Sequence, residues 1–327
     1  MKAQTIAIIG LNRVGVSVGL ALKQSKLDVN IIGHDQDATM MRDAKDSIKA
    51  VDKTEWNLPN AAAKADILVL TVPASELEVT LQAVGSVIQA HAVVVDLSSK
   101  KQLGLDWATQ YLPQGHYVGA VPLYAASWLA DGRSDLDTAD ANLFRNAVFC
   151  LMPSAKADPQ AVETAVNIGL LLGAVPYFVD PIEYDNLAQG TESMPGLLAA
   201  AMFGALAQSN GWRDMLRLAG LPFSISTAAL GATDETLYLA SQNKQATLRW
   251  LDAVINEMQQ MRRWLAGDED EMLAAYLAEL SKQRAQWMAQ RRKNDWVESH
   301  VTRIPNQSFA EQMLGSFIMG RGKDDDE

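Results

Sequence analysis

The first chemistry that the sequence offers is the binding of a phosphate group by backbone amides. The segment from Ile6 to Gly15 reads IAIIGLNRVG, an apolar run followed by glycines at positions 10 and 15. Backbone N–H groups at the start of a helix, together with the helix dipole, favour an anion such as a pyrophosphate. Asn12 occupies the middle glycine position of the usual G-x-G-x-x-G pattern. Among non-glycine residues asparagine tolerates left-handed backbone best, and its amide can donate to phosphate.

Residues around this loop extend the nucleotide-binding pattern. Arg13 places a cation at the loop, and a helix begins near Arg13 or Val14. Asp35 follows the second apolar run, where a carboxylate binds a ribose 2′-hydroxyl and repels a 2′-phosphate, so we expect NAD rather than NADP. The predicted cofactor residues of this segment are Gly10, Asn12, Arg13, Val14, Gly15 and Asp35. The alternative is a sheet of the same kind that has lost its nucleotide.

The N-terminal half alternates between short apolar runs and segments with helical spacing. The predicted strands are TIAIIG, VNIIGHD, ADILVLTVP, AVVVDLS, YVGAVP, AVFCLMP and AVPYFVD, which are continuously apolar, as strands buried on both faces are. Helical segments such as 14–25, 75–90 and 158–172 separate several of them. This alternation predicts an α/β fold with an N-terminal Rossmann-type, doubly wound parallel sheet.

The second half of the chain predicts an all-α helical domain. After about residue 180 the segments are rich in Ala, Leu and Met, which favour helices. We therefore divide the chain into a dinucleotide-binding domain, residues 1–180, and a helical domain, residues 181–327, that binds substrate. Long apolar helices usually pack against more than one neighbour, so we expect a homodimer formed through the helical domain.

Composition limits the partners and the compartment. The 327 residues carry a formal net charge of −11, which disfavours nucleic acid and anionic membranes, because phosphate contacts need clustered Lys and Arg. No apolar run is long enough to span a membrane, and the N-terminus lacks the design of a signal peptide. The single cysteine, Cys150, lies in an apolar run, where we expect a buried hydrophobe rather than a nucleophile. We expect a cytoplasmic protein and assign no metal ligands.

Taken in order, these segments resemble the prephenate and arogenate dehydrogenases of tyrosine biosynthesis. The similarity runs from Ile6 to about Trp287 and rests on the nucleotide loop, DILVLTVP, DLSSKK, GAVPL, DPIEYDNLAQGTESMPG and GWRDMLRLAG. The resemblance implies that a hydride moves from a ring carbinol of a small carboxylate to nicotinamide while carbon dioxide leaves. Aromatisation drives the loss of carbon dioxide, so the protein mainly aligns the reactants and accepts the hydroxyl proton.

The resemblance also implies roles for individual residues. Val72 and Pro73, at the end of the third core strand, lie under the cofactor, and Ser99 faces the substrate. Arg213 and Arg217 match the family's two helix arginines, and a guanidinium can hold a substrate carboxylate through two parallel hydrogen bonds. Two alternatives remain open. Ser99 caps the following helix instead, and Arg217 forms a structural ion pair with Asp214, Asp234 or Glu235.

The departures from the family pattern concentrate on histidine. The family's proton-accepting histidine falls on Val121, and three further family histidines fall on Tyr184, Ser193 and Gly196. Histidine suits the role because its ordinary pKa lies near neutrality. Valine accepts no proton, and general-base assistance typically contributes ~10²–10⁴-fold in rate. The chain's own histidines, which match none of these positions, are His34, His91, His116 and His300.

Glu192 is the leading substitute for the missing base. It stands in the segment that matches a histidine-rich family motif, beside the expected cleft. A carboxylate in an apolar cleft has a raised pKa and can act as a base, although it would repel an anionic dicarboxylate. The alternative is a solvated helix residue. We therefore predict Ser99 and Glu192 as the candidate catalytic residues.

Three hypotheses for the function follow. The first is an NAD(P)-dependent dehydrogenase of the prephenate or arogenate type, or a derivative that acts on another small carboxylate. The second is a non-catalytic NAD-binding sensor or partner subunit, which four absent histidines would allow. The third is a purely structural homodimer with an empty cleft.

Overall fold

An eight-stranded sheet organises the N-terminal half of the chain. The computed structural model describes residues 4–129, 136–154 and 156–296, with the backbone alone at 232–234. The strands are β1 (Thr5–Ile9), β2 (Asn30–His34), β3 (Lys53–Thr54), β4 (Ile67–Leu70), β5 (Val93–Asp96), β6 (His116–Pro122), β7 (Val148–Pro153) and β8 (Val175–Phe178). Their order across the sheet is β3-β2-β1-β4-β5-β6-β7-β8, and neighbours are parallel except for the antiparallel pair β6 and β7.

Helices flank the sheet and dominate the described chain after it. Those of the N-terminal half are α1 (Arg13–Gln24), α2 (Ala38–Arg42), α3 (Leu58–Ala63), α4 (Leu77–Gly85), α5 (Gln102–Tyr111) and α6 (Pro159–Leu171). Those that follow are α7 (Pro181–Ala188), α8 (Met194–Ala207), α9 (Trp212–Leu218), α10 (Leu221–Thr227), α11 (Thr233–Gln242), α12 (Lys244–Ala266) and α13 (Asp270–Lys293). A π-turn over Gln189–Ser193 joins α7 to α8.

Two apolar clusters lie on opposite faces of the sheet. In β1, Ile6 and Ile8 point into the cluster that α1 and α6 cover, while Ala7 and Ile9 point into the cluster that α3, α4 and α5 cover. Successive side chains of a strand alternate between faces, so a strand covered on both sides must be apolar throughout. This burial explains the continuous apolar runs of the sequence.

The predicted fold class is confirmed, with two local differences. The short edge strand β3 was not predicted, because its two residues, Lys53 and Thr54, carry no apolar pattern. The other edge strand, β8, is apolar but exposed, with Tyr177 and Phe178 more than half accessible. An edge strand lacks a neighbour on one side, so apolar composition alone does not guarantee its burial.

The helical half leaves many apolar side chains exposed in the single chain. Leu218, Leu221 and Ile225, on α9 and α10, are 83%, 71% and 64% accessible. Met1–Asn294 form one compact unit by their contacts, so the division into domains at residue 180 stays a prediction. The homodimer also stays a prediction. Asp295–Glu327 group separately, and of these only Asp295 and Trp296 are described. Within the described residues, no helix has both the length and the apolarity to cross a membrane.

Candidate functional site

The loop after β1 packs tightly against the end of β4. Gly10 has a φ of +95°, a left-handed backbone conformation that side chains rarely adopt. A Cβ atom at Gly10 would lie 2.9 Å from Thr71 Oγ1, and one at Gly15 would lie 2.0 Å from the Gly10 carbonyl oxygen. Only glycine therefore fits at either position without displacing the backbone, and the two glycines let α1 start directly behind β1.

Asn12 caps helix α1 and does not adopt a left-handed conformation. Its φ is −70°, and its Oδ1 accepts hydrogen bonds from the amides of Val14 and Gly15 at 3.0 and 3.1 Å. Its Nδ2 donates to the Thr71 carbonyl oxygen at 2.6 Å. The position that needs the unusual backbone is Gly10 instead. The exposed Asn12 side chain thus covers two amides that a phosphate would contact, and it must turn aside for an anion to reach them.

A cavity of about 280 Å³ lies at the carboxyl ends of β1, β2 and β4. Its described lining residues include the predicted cofactor residues Gly10, Asn12, Asp35, Val72 and Pro73, but not Arg13, Val14 or Gly15. Asp35 accepts hydrogen bonds from the Leu11 amide at 2.7 Å and the Asp37 amide at 2.9 Å. Asp37 and Glu76 also line the cavity, whereas none of the described lining residues is Lys or Arg. This negative wall suits a free ribose hydroxyl and repels a 2′-phosphate.

Arg13 is directed away from the cavity. Its side chain is buried, and its guanidinium lies over the rings of Tyr124 and Trp128, 5.2 and 5.5 Å from their centroids. Its Nε donates to the Thr138 carbonyl oxygen at 3.2 Å. The Arg13 side chain thus fixes the segment after β6 against the start of α1. Any contact of this residue with a phosphate would come from its backbone.

A buried ion pair lies at the start of the loop that carries Ser99. The side chains of Asp96 and Lys101 are both fully buried, and their charged atoms are 2.8 Å apart. Tyr117 and Ser98 donate their hydroxyls to the same Asp96 oxygen at 2.7 and 3.0 Å, and the Ser98 amide donates to the other Asp96 oxygen at 2.9 Å. Buried charges need such additional hydrogen bonds to offset the loss of water. The network therefore fixes the backbone from residue 96 to residue 101.

Two polar side chains, one on α7 and one on the π-turn that follows it, bind the loop between β5 and α5. Asp185, on α7, accepts hydrogen bonds from the amides of Lys101 and Gln102 at 3.0 and 3.1 Å and so caps the start of α5. Gln189, on the π-turn, accepts a hydrogen bond from Lys100 Nζ at 3.0 Å. Burial lowers the pKa of Lys100 below its ordinary value. The loop is therefore clamped between the sheet and the α7–α8 segment.

Ser99 does not cap α5 and pairs with a carboxylate instead. Its Oγ donates to Glu235 Oε1 at 2.9 Å, and the Ala74 amide donates to the same oxygen at 3.3 Å. Glu235 Oε2 is buried and has no hydrogen-bond partner in the described part of the chain. From the sequence alone, Glu235 is expected only as a partner of Arg217. No spacing pattern links positions 99 and 235, so the pairing becomes visible only in the fold.

Val121 lies near the carboxyl end of β6, opposite Cys150 of β7. His116 is the first residue of β6 and therefore lies at the other end, as predicted, while His300 lies outside the described residues. Burial raises the pKa of the Cys150 thiol to about 11, so the thiol stays neutral. Neither Val121 nor Cys150 can therefore accept a proton in neutral solution.

Glu192, on the π-turn, lies near the region of Val121 and Cys150. Desolvation by the surrounding protein raises the pKa of Glu192, and the charge of Arg291 acts in the opposite direction. Solvent still reaches the side chain, which forms no hydrogen bond or ion pair with the described residues. Tyr184, on α7, has a pKa that burial raises well above its ordinary value. The structure therefore does not join Glu192 to Ser99.

Arg291 was not predicted and brings a guanidinium to this cleft from the last turn of α13. Its Nη2 donates to the Tyr124 carbonyl oxygen at 2.9 Å, while its Nε is buried without a partner among the described residues. Its charge acts on both Glu192 and Cys150. The only signal in the sequence is the basic last turn, RRK, which the helix dipole alone explains.

Arg213 and Arg217 lie apart from these groups, on the exposed helix α9. Arg217 lies 3.7 Å from Asp214, and both side chains are more than four-fifths accessible. An exposed ion pair of this kind contributes little stability, about 0–1 kcal/mol. The described side chains thus show the predicted pair with Asp214, while the Asp234 side chain lies outside the described residues.

The known proteins that this chain resembles are prephenate and cyclohexadienyl dehydrogenases. The family model described as "Prephenate dehydrogenase, nucleotide-binding domain" matches residues 18–177. A prephenate dehydrogenase of Bacillus subtilis is 27% identical over 289 residues, which cover 83% of this chain and 73% of that protein. A cyclohexadienyl dehydrogenase of Zymomonas mobilis is 22% identical and covers 85% of this chain and 94% of its own length.

Solved structures show the same fold. A prephenate dehydrogenase from A. aeolicus, in complex with hydroxyphenyl propionate and NAD⁺, has a TM-score of 0.75 at 19% identity and covers 86% of this chain and 98% of its own. The arogenate dehydrogenase of Synechocystis has a TM-score of 0.66 at 21% identity and covers 87% of this chain and 100% of its own. At these identities the likeness establishes the fold.

The buried ion pair generates a stability prediction. Lys101→Met leaves the buried Asp96 carboxylate without its cation, so we expect the free energy of unfolding to fall by about 3–5 kcal/mol in denaturant titration. The control is Lys64→Met, which removes a solvent-exposed pair with Glu55 and should leave the free energy of unfolding nearly unchanged. Equal losses for the two variants would contradict a structural role of the buried pair.

Proposed function

We propose that the chain belongs to the prephenate/arogenate dehydrogenase family, which the family-model match over residues 18–177 and the curated relatives support, and that it oxidises prephenate or arogenate with loss of carbon dioxide. The observation that carries the proposal is the placement of its polar groups. The cavity beside Asp35 and the loop with Ser99 follow β2 and β5, at the same carboxyl edge of one parallel sheet. Ligands of doubly wound sheets bind at this edge.

NAD is the cofactor that the cavity suits best. We place the adenine ribose at Asp35 and the pyrophosphate over the loop from Gly10 to Gly15, where Asn12 turns aside and the amides of Arg13 and Val14 stand at the helix start. Val72 and Pro73 border the cavity on the side that leads to Ser99. When bound, NAD⁺ supplies the acceptor for the hydride. A glycine with left-handed backbone and a carboxylate after β2 are the two features that fit this cofactor.

The substrate is a small carboxylate that enters between β6 and the π-turn. Arg291 offers a partly buried, incompletely paired guanidinium for a substrate carboxylate, and Glu192 faces it as a candidate catalytic or specificity group. Arg213 and Arg217 remain proposed carboxylate ligands, which their match to the family's helix arginines supports. Ser99 is proposed to contact the reacting hydroxyl.

The non-catalytic alternative is not favoured, because the curated relatives that match the chain are dehydrogenases by name.

We further propose a homodimer formed through the helical domain, supported by the exposed apolar side chains of α9 and α10. A cytoplasmic location is supported by the single cysteine, Cys150. The net charge of −11 supports the proposal that nucleic acid is not a partner of this protein.

Turnover is the direct test of the proposed function. We expect the full chain to reduce NAD with prephenate or arogenate and to release carbon dioxide, with NADP as the poorer cofactor. NADH absorbance measures the rate, and chromatography identifies the aromatic product. A folded protein that binds NAD but turns over neither acid would overturn the proposal.

The Asp35 carboxylate should set the choice of cofactor. Asp35→Asn keeps an acceptor for the Leu11 amide but removes the charge, so we expect NAD affinity relative to NADP to fall about tenfold. Calorimetric titration with both cofactors measures the ratio. Asp43→Asn is the control, since it removes an exposed carboxylate that does not line the cavity. A ratio unchanged by Asp35→Asn would exclude the ribose contact.

Arg291 should bind the substrate rather than the cofactor. Arg291→Gln removes a charge-assisted hydrogen bond, so we expect KM for the acid to rise about 10–100-fold with a smaller change in kcat. Steady-state kinetics measures both constants. The matched control is Arg292→Gln, the next residue, whose side chain is exposed. Similar KM values for the two variants would remove Arg291 from the site.

A further inference from the structure

We propose that Glu235 replaces the family's histidine as the acceptor of the substrate's hydroxyl proton, which reaches it through Ser99. The inference rests on the proposed function and names the base for it. Val121 stands where that histidine would be, and a valine accepts no proton. A dehydrogenase built on this chain therefore needs another acceptor at the same edge of the sheet.

Ser99 and Glu235 already form a donor–acceptor pair at that edge. Ser99 follows β5, the neighbour of β6, and its Oγ donates its hydrogen to Glu235 Oε1 at 2.9 Å. A hydroxyl that donates its hydrogen keeps two lone pairs, with which it can accept the hydrogen of a substrate alcohol. The pair therefore has the polarity that proton relay from an alcohol to a carboxylate requires.

Hydrogen bonds from the described residues bind only one of the two carboxylate oxygens of Glu235. The Ala74 amide donates to Oε1 at 3.3 Å, while Oε2 is buried and has no hydrogen-bond partner in the described part of the chain. Lys100 and Tyr238 are the titratable neighbours with which its charge interacts. A buried oxygen without a partner costs stability, so a functional role gives a reason for keeping it.

Other titratable side chains near Val121 suit the role less well. Burial raises the pKa of Cys150 to about 11 and that of Tyr184 well above its ordinary value, so both are neutral and protonated at pH 7. Glu192 has no hydrogen bond to Ser99. Of these groups, Glu235 is the carboxylate in direct contact with the serine that faces the substrate.

The step balances in atoms and electrons. The carbinol proton moves to Ser99 Oγ as the serine's own hydrogen moves to Glu235 Oε1, and the C–H electron pair of the same carbon leaves as hydride for oxidised nicotinamide. The ring carboxylate departs as carbon dioxide, and the electron pair of the broken C–C bond makes the ring an aromatic phenolate. Glu235 then returns the proton through Ser99 to the phenolate oxygen, so no proton is gained or lost overall.

The test replaces the carboxylate by a neutral acceptor of the same shape. In Glu235→Gln, Oε1 can still accept from Ser99 and Ala74, so we expect kcat to fall ~10²–10⁴-fold while NAD affinity is unchanged. Glu235→Asp keeps a carboxylate and should recover part of the lost kcat.

The matched control is Glu78→Gln. Glu78 also acts on Tyr238, but it accepts a hydrogen bond from Tyr111 and takes no part in the proposed site. We expect its kcat to equal that of the wild type. An unchanged kcat in Glu235→Gln, or a loss confined to NAD binding, would overturn the inference.

A binding measurement separates this inference from the proposed function. In the presence of NADH, the wild type should bind 4-hydroxyphenylpropionate more tightly than phenylpropionate, and Glu235→Gln should lose about tenfold of that preference in calorimetry. If the wild type turns over no acid but shows the preference through Glu235, the proposed activity fails and the proton-accepting contact stands. If it turns over prephenate or arogenate and the preference does not depend on Glu235, the activity stands and the inference fails.

Discussion

The buried ion pair between Asp96 and Lys101 is the interaction on which the geometry of the site depends. Both side chains are fully buried, and removal of such charges from water is costly unless every lone pair is used. Tyr117 and Ser98 supply the additional donors, and Asp185 binds the Lys101 amide from the helical half. The loop between these anchors has little freedom left. Ser99, in its middle, is therefore presented towards α11 in one orientation.

The sequence predicts the architecture well, because burial on both faces of a parallel sheet leaves a direct trace in composition. Runs such as VVVD and ILVL identify β5 and β4 with little ambiguity. The edges of the sheet are less predictable, since β3 is too short to show a pattern and β8 is apolar without being buried. The same logic applies to Asn12, whose place in the glycine pattern suggested an unusual backbone, whereas Gly10 takes that role and Asn12 caps the helix.

The site is less predictable, because its contacts join positions that no local pattern relates. Motif comparison located Ser99, Val121 and Asp35, each next to a strand end. It could not reveal that Glu235 meets Ser99 or that Arg291 reaches Tyr124, since these contacts span 136 and 167 residues. Glu235 and Arg291 lie on helices. The periodicity of the sequence predicts these helices, but it does not show which of their residues face the sheet. Long-range pairing of this kind is decided by the packing of the helical half.

The charges of the cleft bear on the proposal that a carboxylate takes the place of histidine in a site for an acidic substrate. A neutral histidine adds no charge to a site that must admit an anion, whereas each new carboxylate repels it. In this chain each carboxylate of the cleft lies near a buried or partly buried cation, Glu235 near Lys100 and Glu192 near Arg291. Neither pair is in direct ionic contact, so each cation remains able to attract a substrate carboxylate while offsetting its partner. Each cation thus offsets part of the charge of its neighbouring carboxylate, and this compensation would make the proposed carboxylate base compatible with an anionic substrate.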